Sequence, residues 1–147
     1  MKNAARKTIV AHATARTLMT ADPETISAQS HLLEAVSRMA ELDLRHLPVV
    51  DSSGKLVGMI SDRDVRTAIG SPAEALRSRG FEDSEGLTVA SVMAEDPLCV
   101  ELDTPVREIA TLIATEKIGA VPVVDENENV VGIVSYVDLL TWYAANA

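Results

Sequence analysis

The stretch from Met19 to Thr67 is repeated, in step and without insertion, from Met93 to Thr141. Laying LMTADPETI…RHLPVVDSSGKLVGMISDRDV over VMAEDPLCV…GAVPVVDENENVVGIVSYVDL sets Met19, Asp22, Pro23, Glu34, Ala40, Pro48, Val49, Val50, Asp51, Val57, Gly58, Ser61, Asp64 and Thr67 on identical residues. Most other positions exchange one apolar residue for another. A register held over that distance is an internal duplication. Each copy is too small to bury a good core alone, so two such units are expected to pack on each other and leave a cleft between them.

Composition narrows what such a pair can be. With 147 residues, 47% of them hydrophobic, there is enough chain for one domain or two intimate halves and no surplus for a separate catalytic domain. The basic N-terminal segment MKNAARKTIVAHATAR lacks the apolar run of about seven residues that a signal peptide needs, so a soluble, cytoplasmic protein without a membrane span is expected. The single cysteine, Cys99, excludes an intrachain disulfide; it is expected in a short strand as a small buried apolar residue. A net charge of −9 opposes binding to nucleic acid or an anionic membrane, so any anionic ligand needs a local arrangement to hold it.

Within each copy the hydrophobic period changes in a fixed order. Glu24 to Ile26 forms a short strand after the Asp22-Pro23 turn, and from Ser30, the expected N-cap, Leu32, Val36, Met39 and Ala40 mark one helix face. The second copy begins the same helix at Thr104-Pro105 and carries Val106, Ile109, Ala110 and Ile113 on the stripe. Leu47 to Val50 and Leu56 to Ile60 form a hairpin around Asp51-Ser52-Ser53-Gly54, repeated by Val121 to Val124 and Val130 to Val134. A second helix follows at Asp62 to Ile69 and again at Tyr136 to Ala145. Gly58 and Gly132, inside strands, suggest that another backbone approaches closely. The unit is β-α-β-β-α, twice: repeat 1 at 14–70, a connector at 71–87 and repeat 2 at 88–147. Within the connector, Pro72 to Ser78 could extend or restart a helix, while Gly80 to Gly86 has loop composition. Trp142 and Tyr143 either cap an interface or cover the end of the sheet.

This order, together with the Met-x-x-Asp-Pro opening, the Pro-Val-Val-Asp hairpin and the Gly-hydrophobic-hydrophobic-Ser-x-x-Asp close, resembles a tandem pair of cystathionine β-synthase (CBS) domains, the Bateman module, over residues 14 to 145. The resemblance implies an α/β (α+β) fold of two repeats packed pseudo-symmetrically through their sheets. It also implies a regulatory module that binds adenosine-containing ligands (AMP, ADP, ATP, S-adenosylmethionine or a dinucleotide) in clefts between the repeats, and that pairs into flat homodimers. The adenine nucleotide would act as a regulatory ligand, with no obligatory cofactor.

The chemistry expected at the site follows from the strand-to-helix junction. Helix N-terminal amides and the dipole attract phosphate, a serine hydroxyl can donate to it, and a carboxylate one turn on can accept from ribose hydroxyls. By similarity to the family, Ser61 and Asp64 would hold phosphate and ribose in one cleft, and Ser135 and Asp138 in the other. The same Ser-x-x-Asp spacing is also a capping box worth about 1 kcal/mol without any ligand, and the two roles are compatible. The family's adenine slot would fall on Leu98, Ile118, Gly119 and Ala120, facing Met59. Taken singly, Leu98 and Ile118 are each better explained as core, and the slot rests on the set.

The copies differ where charge matters. Arg45-His46 stands against Gly119-Ala120, and Arg63 against Val137, so Arg45, His46 and Arg63 could bring positive charge to one cleft only. Arg45 and His46 could equally be solvated residues at a helix C-terminus. The leading functional reading is a ligand sensor that shifts its repeats and signals to a partner protein or across a homodimer; the alternative is a structural or dimerisation module with the same fold and no nucleotide. An enzyme is disfavoured, because no nucleophile, base pair of carboxylates or metal cluster stands at useful spacing.

Overall fold

The computed structural model describes residues 12–70 and 86–146. In chain order the elements are α1 (Ala15–Leu18), β1 (Thr20–Ala21), β2 (Ile26–Ser27), α2 (Leu32–Leu42), β3 (His46–Val50), β4 (Leu56–Ser61), α3 (Asp62–Ile69), α4 (Val89–Val92), β5 (Ala94–Glu95), β6 (Val100–Glu101), α5 (Val106–Glu116), β7 (Ala120–Val124), β8 (Val130–Ser135) and α6 (Tyr136–Asn146). The fold is mixed α and β, with two four-stranded sheets ordered β2-β3-β4-β5 and β1-β8-β7-β6. The possible helix at 72–78 and the loop expected at 80–86 fall outside the described residues, apart from Gly86.

The compact units cut across the sequence repeats. One is Glu24–Pro97; the other joins Met1–Pro23 to Leu98–Ala147. The cause is the pairing of the two-residue strands. β1, from the start of the first repeat, pairs antiparallel with β8 of the second, and β5 pairs antiparallel with β4 of the first. The chain changes unit just after Asp22-Pro23 and Asp96-Pro97, and both aspartates take the left-handed conformation, with φ 46°. Aspartate tolerates that region better than most residues, and proline fixes the next turn.

Each unit is built alike. A parallel strand (β2 or β6) lies beside the first strand of the hairpin, a helix connects the two, and the hairpin's second strand runs into the last helix. The α2 stripe buries Leu32, Ala35 and Met39 against Leu47, Val49 and Ile60, and α5 buries Val106, Ile109 and Ile113 against Val121, Val123 and Val134. Burying each of these side chains larger than alanine contributes roughly 1.5–3 kcal/mol. Both hairpins turn on an aspartate. Asp51 Oδ1 accepts from the Ser53 and Lys55 amides at 2.8 and 3.0 Å, and Asp125 Oδ1 accepts from the Asn127 and Asn129 amides at 2.9 and 3.0 Å.

Three local expectations need correcting. Ser30 does not cap α2; the helix starts after His31, whose side chain makes no capping bond, because the Leu32 amide already donates to the Leu87 carbonyl at 2.8 Å. In α5 the start likewise shifts past Pro105, with the Val106 amide donating to the Ala13 carbonyl at 3.0 Å, while Thr104 Oγ1 accepts from the Glu101 amide at 2.9 Å. The strand glycines chiefly meet thioethers rather than backbone. A Cβ on Gly58 would run into Met93 Sδ and lie 3.0 Å from the Ala94 carbonyl oxygen, and one on Gly132 would run into Met19 Sδ.

Candidate functional site

In each unit the Ser-x-x-Asp pair stands where the hairpin closes and the last helix begins. The register of β3 and β4 sets His46 opposite Ser61, and that of β7 and β8 sets Ala120 opposite Ser135. The two junctions are closed by the same main-chain bond: the Asp62 amide donates to the Arg45 carbonyl at 2.9 Å, and the Tyr136 amide to the Gly119 carbonyl at 3.0 Å. The residue before each hairpin strand therefore caps the following helix. This is why Arg45 and Gly119, unlike in chemistry, share one position.

The Ser-x-x-Asp pairs form complete reciprocal boxes. Asp64 Oδ2 accepts from the Ser61 amide at 2.9 Å and Ser61 Oγ accepts from the Asp64 amide at 3.1 Å; Asp138 and Ser135 repeat these bonds at 2.9 and 3.1 Å. The picture of open helix amides facing an anion is thereby narrowed. Among the first three amides of α3, those of Asp62 and Asp64 are already bonded within the protein, and the two acidic side chains in this turn offset the positive helix end. Each box engages a single carboxylate oxygen and leaves Oδ1 outside it. A serine that accepts through Oγ still has its O–H to donate. The outward chemistry of the junction is one hydroxyl donor beside one carboxylate acceptor, in duplicate.

Charge around the two junctions differs. Arg45 lines a shallow groove of about 230 Å3 between α2 and α3 with Asp43, Asp62 and Arg66, and this groove includes none of Ser61, Arg63 or Asp64. Asp62 and Arg66 pair across one helical turn at 2.7 Å, a contact foreshadowed by their i,i+4 spacing but not singled out as part of the site. Half-buried His46 has its pKa held below the ordinary imidazole value, chiefly by burial and further by Arg45, against the opposing pull of Asp64 and Asp62. It is a neutral imidazole at neutral pH rather than an added cation. Arg63 is exposed at the first junction, and Val137 is exposed at the second.

The residues expected to form the adenine slot are distributed as follows. Met59 and Ala120 are buried, Gly119 is half-buried, and Ile118 is half-buried against the core of its unit. Leu98 belongs to no strand. It is 45% exposed and lines an open groove of about 980 Å3 along α5, with Cys99, Val100 and Leu112. Cys99 is correspondingly outside β6 and exposed, not a buried strand residue; partial shielding, then Glu128 and Glu101, push its thiol pKa up. Among the described residues no group of three His, Cys, Asp or Glu is placed to hold a metal ion, and no helix is long and apolar enough to cross a membrane.

Duplicated units of this construction, each with a Ser-x-x-Asp box at the hairpin exit, define a class that sequence comparison identifies independently. The CBS domain family profile matches twice, at residues 15–71 and 89–145. The chain belongs to the CBS domain family, as a tandem pair. It is 35% identical over 126 residues to a CBS domain-containing protein of Dictyostelium discoideum, covering 84% of this chain and 86% of that protein. It is 32% identical over 123 residues to the uncharacterized protein YlbB of Bacillus subtilis, covering 83% and 76% respectively. The structure matches the CBS domain pair of protein MJ0100, solved with 5′-methylthioadenosine and S-adenosyl-L-methionine, at a TM-score of 0.75 and 27% identity, covering 92% of this chain and 98% of that one. Other relatives are enzymes, such as an L-aspartate semialdehyde sulfurtransferase and an inosine-5′-monophosphate dehydrogenase of Methanocaldococcus jannaschii; the match takes in only 21% of each of those two chains.

Proposed function

We propose that this protein is a regulatory module that binds adenosine-containing ligands at the strand-to-helix junctions of its two repeats and passes their occupancy on as a conformational shift. The observation that carries this reading is the duplicated hydroxyl and carboxylate pair: Ser61 with Asp64 and Ser135 with Asp138, each fixed by two internal bonds and each keeping one donor and one acceptor for a ribose or phosphate. The 5′-methylthioadenosine and S-adenosyl-L-methionine carried by the related pair support the ligand class. The junctions differ in the ligand they suit. The first has Arg63 beside its box and can balance a phosphate; the second has Val137 there, so a nucleoside without phosphate suits it better. Catalysis is not part of this reading, because the enzymes among the relatives have most of their length outside the matched pair.

Calorimetric titration with adenosine, 5′-methylthioadenosine, S-adenosylmethionine, AMP and ATP tests the proposal. Asp64→Ala is expected to weaken binding at the first junction by roughly 1–3 kcal/mol, the cost of losing hydrogen bonds to a charged acceptor. It should also cost about 1 kcal/mol of stability through the lost cap. Asp138→Ala should act on the second junction alone. The complete boxes favour a second reading, a structural module that needs no ligand; heat-free titrations with all five compounds, and a stability loss in Asp64→Ala as the sole effect, would establish it.

A further inference from the structure

One flank of α5 is open where the equivalent flank of α2 is closed. In repeat 1 the flank is filled from within: Arg38 donates to the Thr25 carbonyl at 2.7 Å and pairs with Glu34 at 3.5 Å and Glu24 at 3.9 Å, tying the helix to the chain that enters β2. The duplication sets Leu112 in place of Arg38, Cys99 in place of Thr25 and Leu98 in place of Glu24, but keeps Glu34 as Glu108. Repeat 2 has thus retained the carboxylate and lost its cation, and this flank is the groove of about 980 Å3 along α5. Its apolar lining includes exposed Leu98 and half-buried Leu112. Glu101, Asp103, Glu108 and Glu116 line it against one cation, Arg107. Among the described residues its lining takes in nothing from either Ser-x-x-Asp box, so its occupant is a separate matter from the ligand proposed above.

We infer that residues 1–11 occupy this groove, with their cations toward its carboxylates and Ile9 and Val10 on Leu98 and Leu112. The described chain begins at one end of it. The Ala13 carbonyl accepts from the Val106 amide at 3.0 Å, Thr14 bridges to Pro105, the Ala15 amide donates to the Thr104 carbonyl at 2.9 Å, and Arg16 reaches Asp103 at 3.8 Å. Asp103, Thr104 and Pro105 all belong to the groove's wall. Fully extended, residues 1–11 span roughly 36 Å and α5 is roughly 17 Å long, so the segment reaches the far end at Glu116 with chain to spare. Its charge is complementary: it holds Lys2, Arg6 and Lys7 and no acidic residue, in a chain of net charge −9. Beside Glu108, one of these cations does for repeat 2 what Arg38 does for repeat 1. A basic peptide from outside would meet the same carboxylates only at its bulk concentration, whereas this segment is held next to them by the bonds at Ala13 and Ala15.

Trypsin, which cuts after lysine and arginine, tests this on the full chain. Cleavage after Arg6 and Lys7, followed by mass spectrometry, is expected to run about tenfold or more slower than in the free peptide 1–16, because a docked segment is cut only from its released population. Leu112→Arg copies repeat 1 and fills the groove with a cation of its own, so it should restore most of the peptide's rate. Glu108→Gln combined with Glu116→Gln should do the same, and covers the case in which the arginine variant fails to fold. Neither variant alters the bonds being cut, and cleavage after Arg79 in the connector, unchanged in both, reports that the rest of the fold has not loosened. Cleavage in the unaltered chain as fast as in the peptide overturns the inference and leaves the groove to a separate partner. Protection that survives both variants overturns it by placing the segment elsewhere. Protection that fades on dilution overturns it by giving the groove to residues 1–11 of a second copy.

Discussion

His46 and Ala120 show how one position in a duplicated motif can acquire a separate property. Both lie opposite the serine of their box, but only His46 titrates, and burial lowers its pKa despite the nearby carboxylates of Asp64 and Asp62. The sign of the consequence follows from linkage. The unfolded imidazole titrates near 6.5, and the folded one lower, so its favourable neutral form contributes fully above pH 6.5 and is lost as pH falls through the folded value. Denaturant midpoints should therefore decline as pH falls below about 6.5, and His46→Gln should flatten that decline; an unchanged slope in the variant would place its origin elsewhere. Asp51 acts in a lower window. Its carboxylate is lowered chiefly by the Ser53 hydroxyl, so its contribution is present above the ordinary carboxylate pKa and disappears only in more acid solution. The two effects are thus separable along one titration. The paired Ser-x-x-Asp boxes could be read from spacing alone, since a carboxylate three positions after the cap leaves little geometric choice. The closure by the Arg45 and Gly119 carbonyls could not, because a main-chain acceptor carries no mark in the side-chain sequence.

At the scale of elements, the helices and hairpins with a strong period were legible almost to their ends. The short pieces were not: α1, α4 and the two-residue strands β1 and β5 are shorter than any period that could reveal them. The starts of α2 and α5 were misplaced for a related reason, since distant carbonyls at Leu87 and Ala13 satisfy amides that a local serine or threonine was expected to serve. The ends of those helices hold a testable strain. Asp43 and Lys117 both close their helices in the left-handed conformation, with φ 53° and 54°, where a Cβ is unfavourable. Lys117→Gly should raise unfolding free energy by about 0.5–1 kcal/mol, measured by denaturant titration. A loss of stability would show that the greater freedom of glycine in the unfolded chain outweighs the relief.

For the whole molecule, the duplication pointed to two units but not to where each unit begins. Repeat boundaries follow similarity, while compact units follow strand pairing, and the pairing of β1 with β8 and β5 with β4 shifts the cut to the two Asp-Pro turns. Glu24–Pro97 is one continuous segment holding its complete sheet β2-β3-β4-β5. Expressed alone, that segment should show a cooperative thermal transition, whereas a fragment ending at Gly80 should melt lower, because β4 is left with an unpaired edge and the core loses buried Val89 and the Leu87 carbonyl that holds α2. Equal melting of the two would deny α4 and β5 any part in stability. Glu24–Pro97 holds every strand of its own sheet, whereas Thr20–Ala21, which precedes it in the chain, pairs with β8 more than a hundred residues further on. Closing that distant contact carries a loop-closure cost that the local pairings of Glu24–Pro97 do not, so the sheet holding β1 is the one whose completion depends on the whole length of chain between.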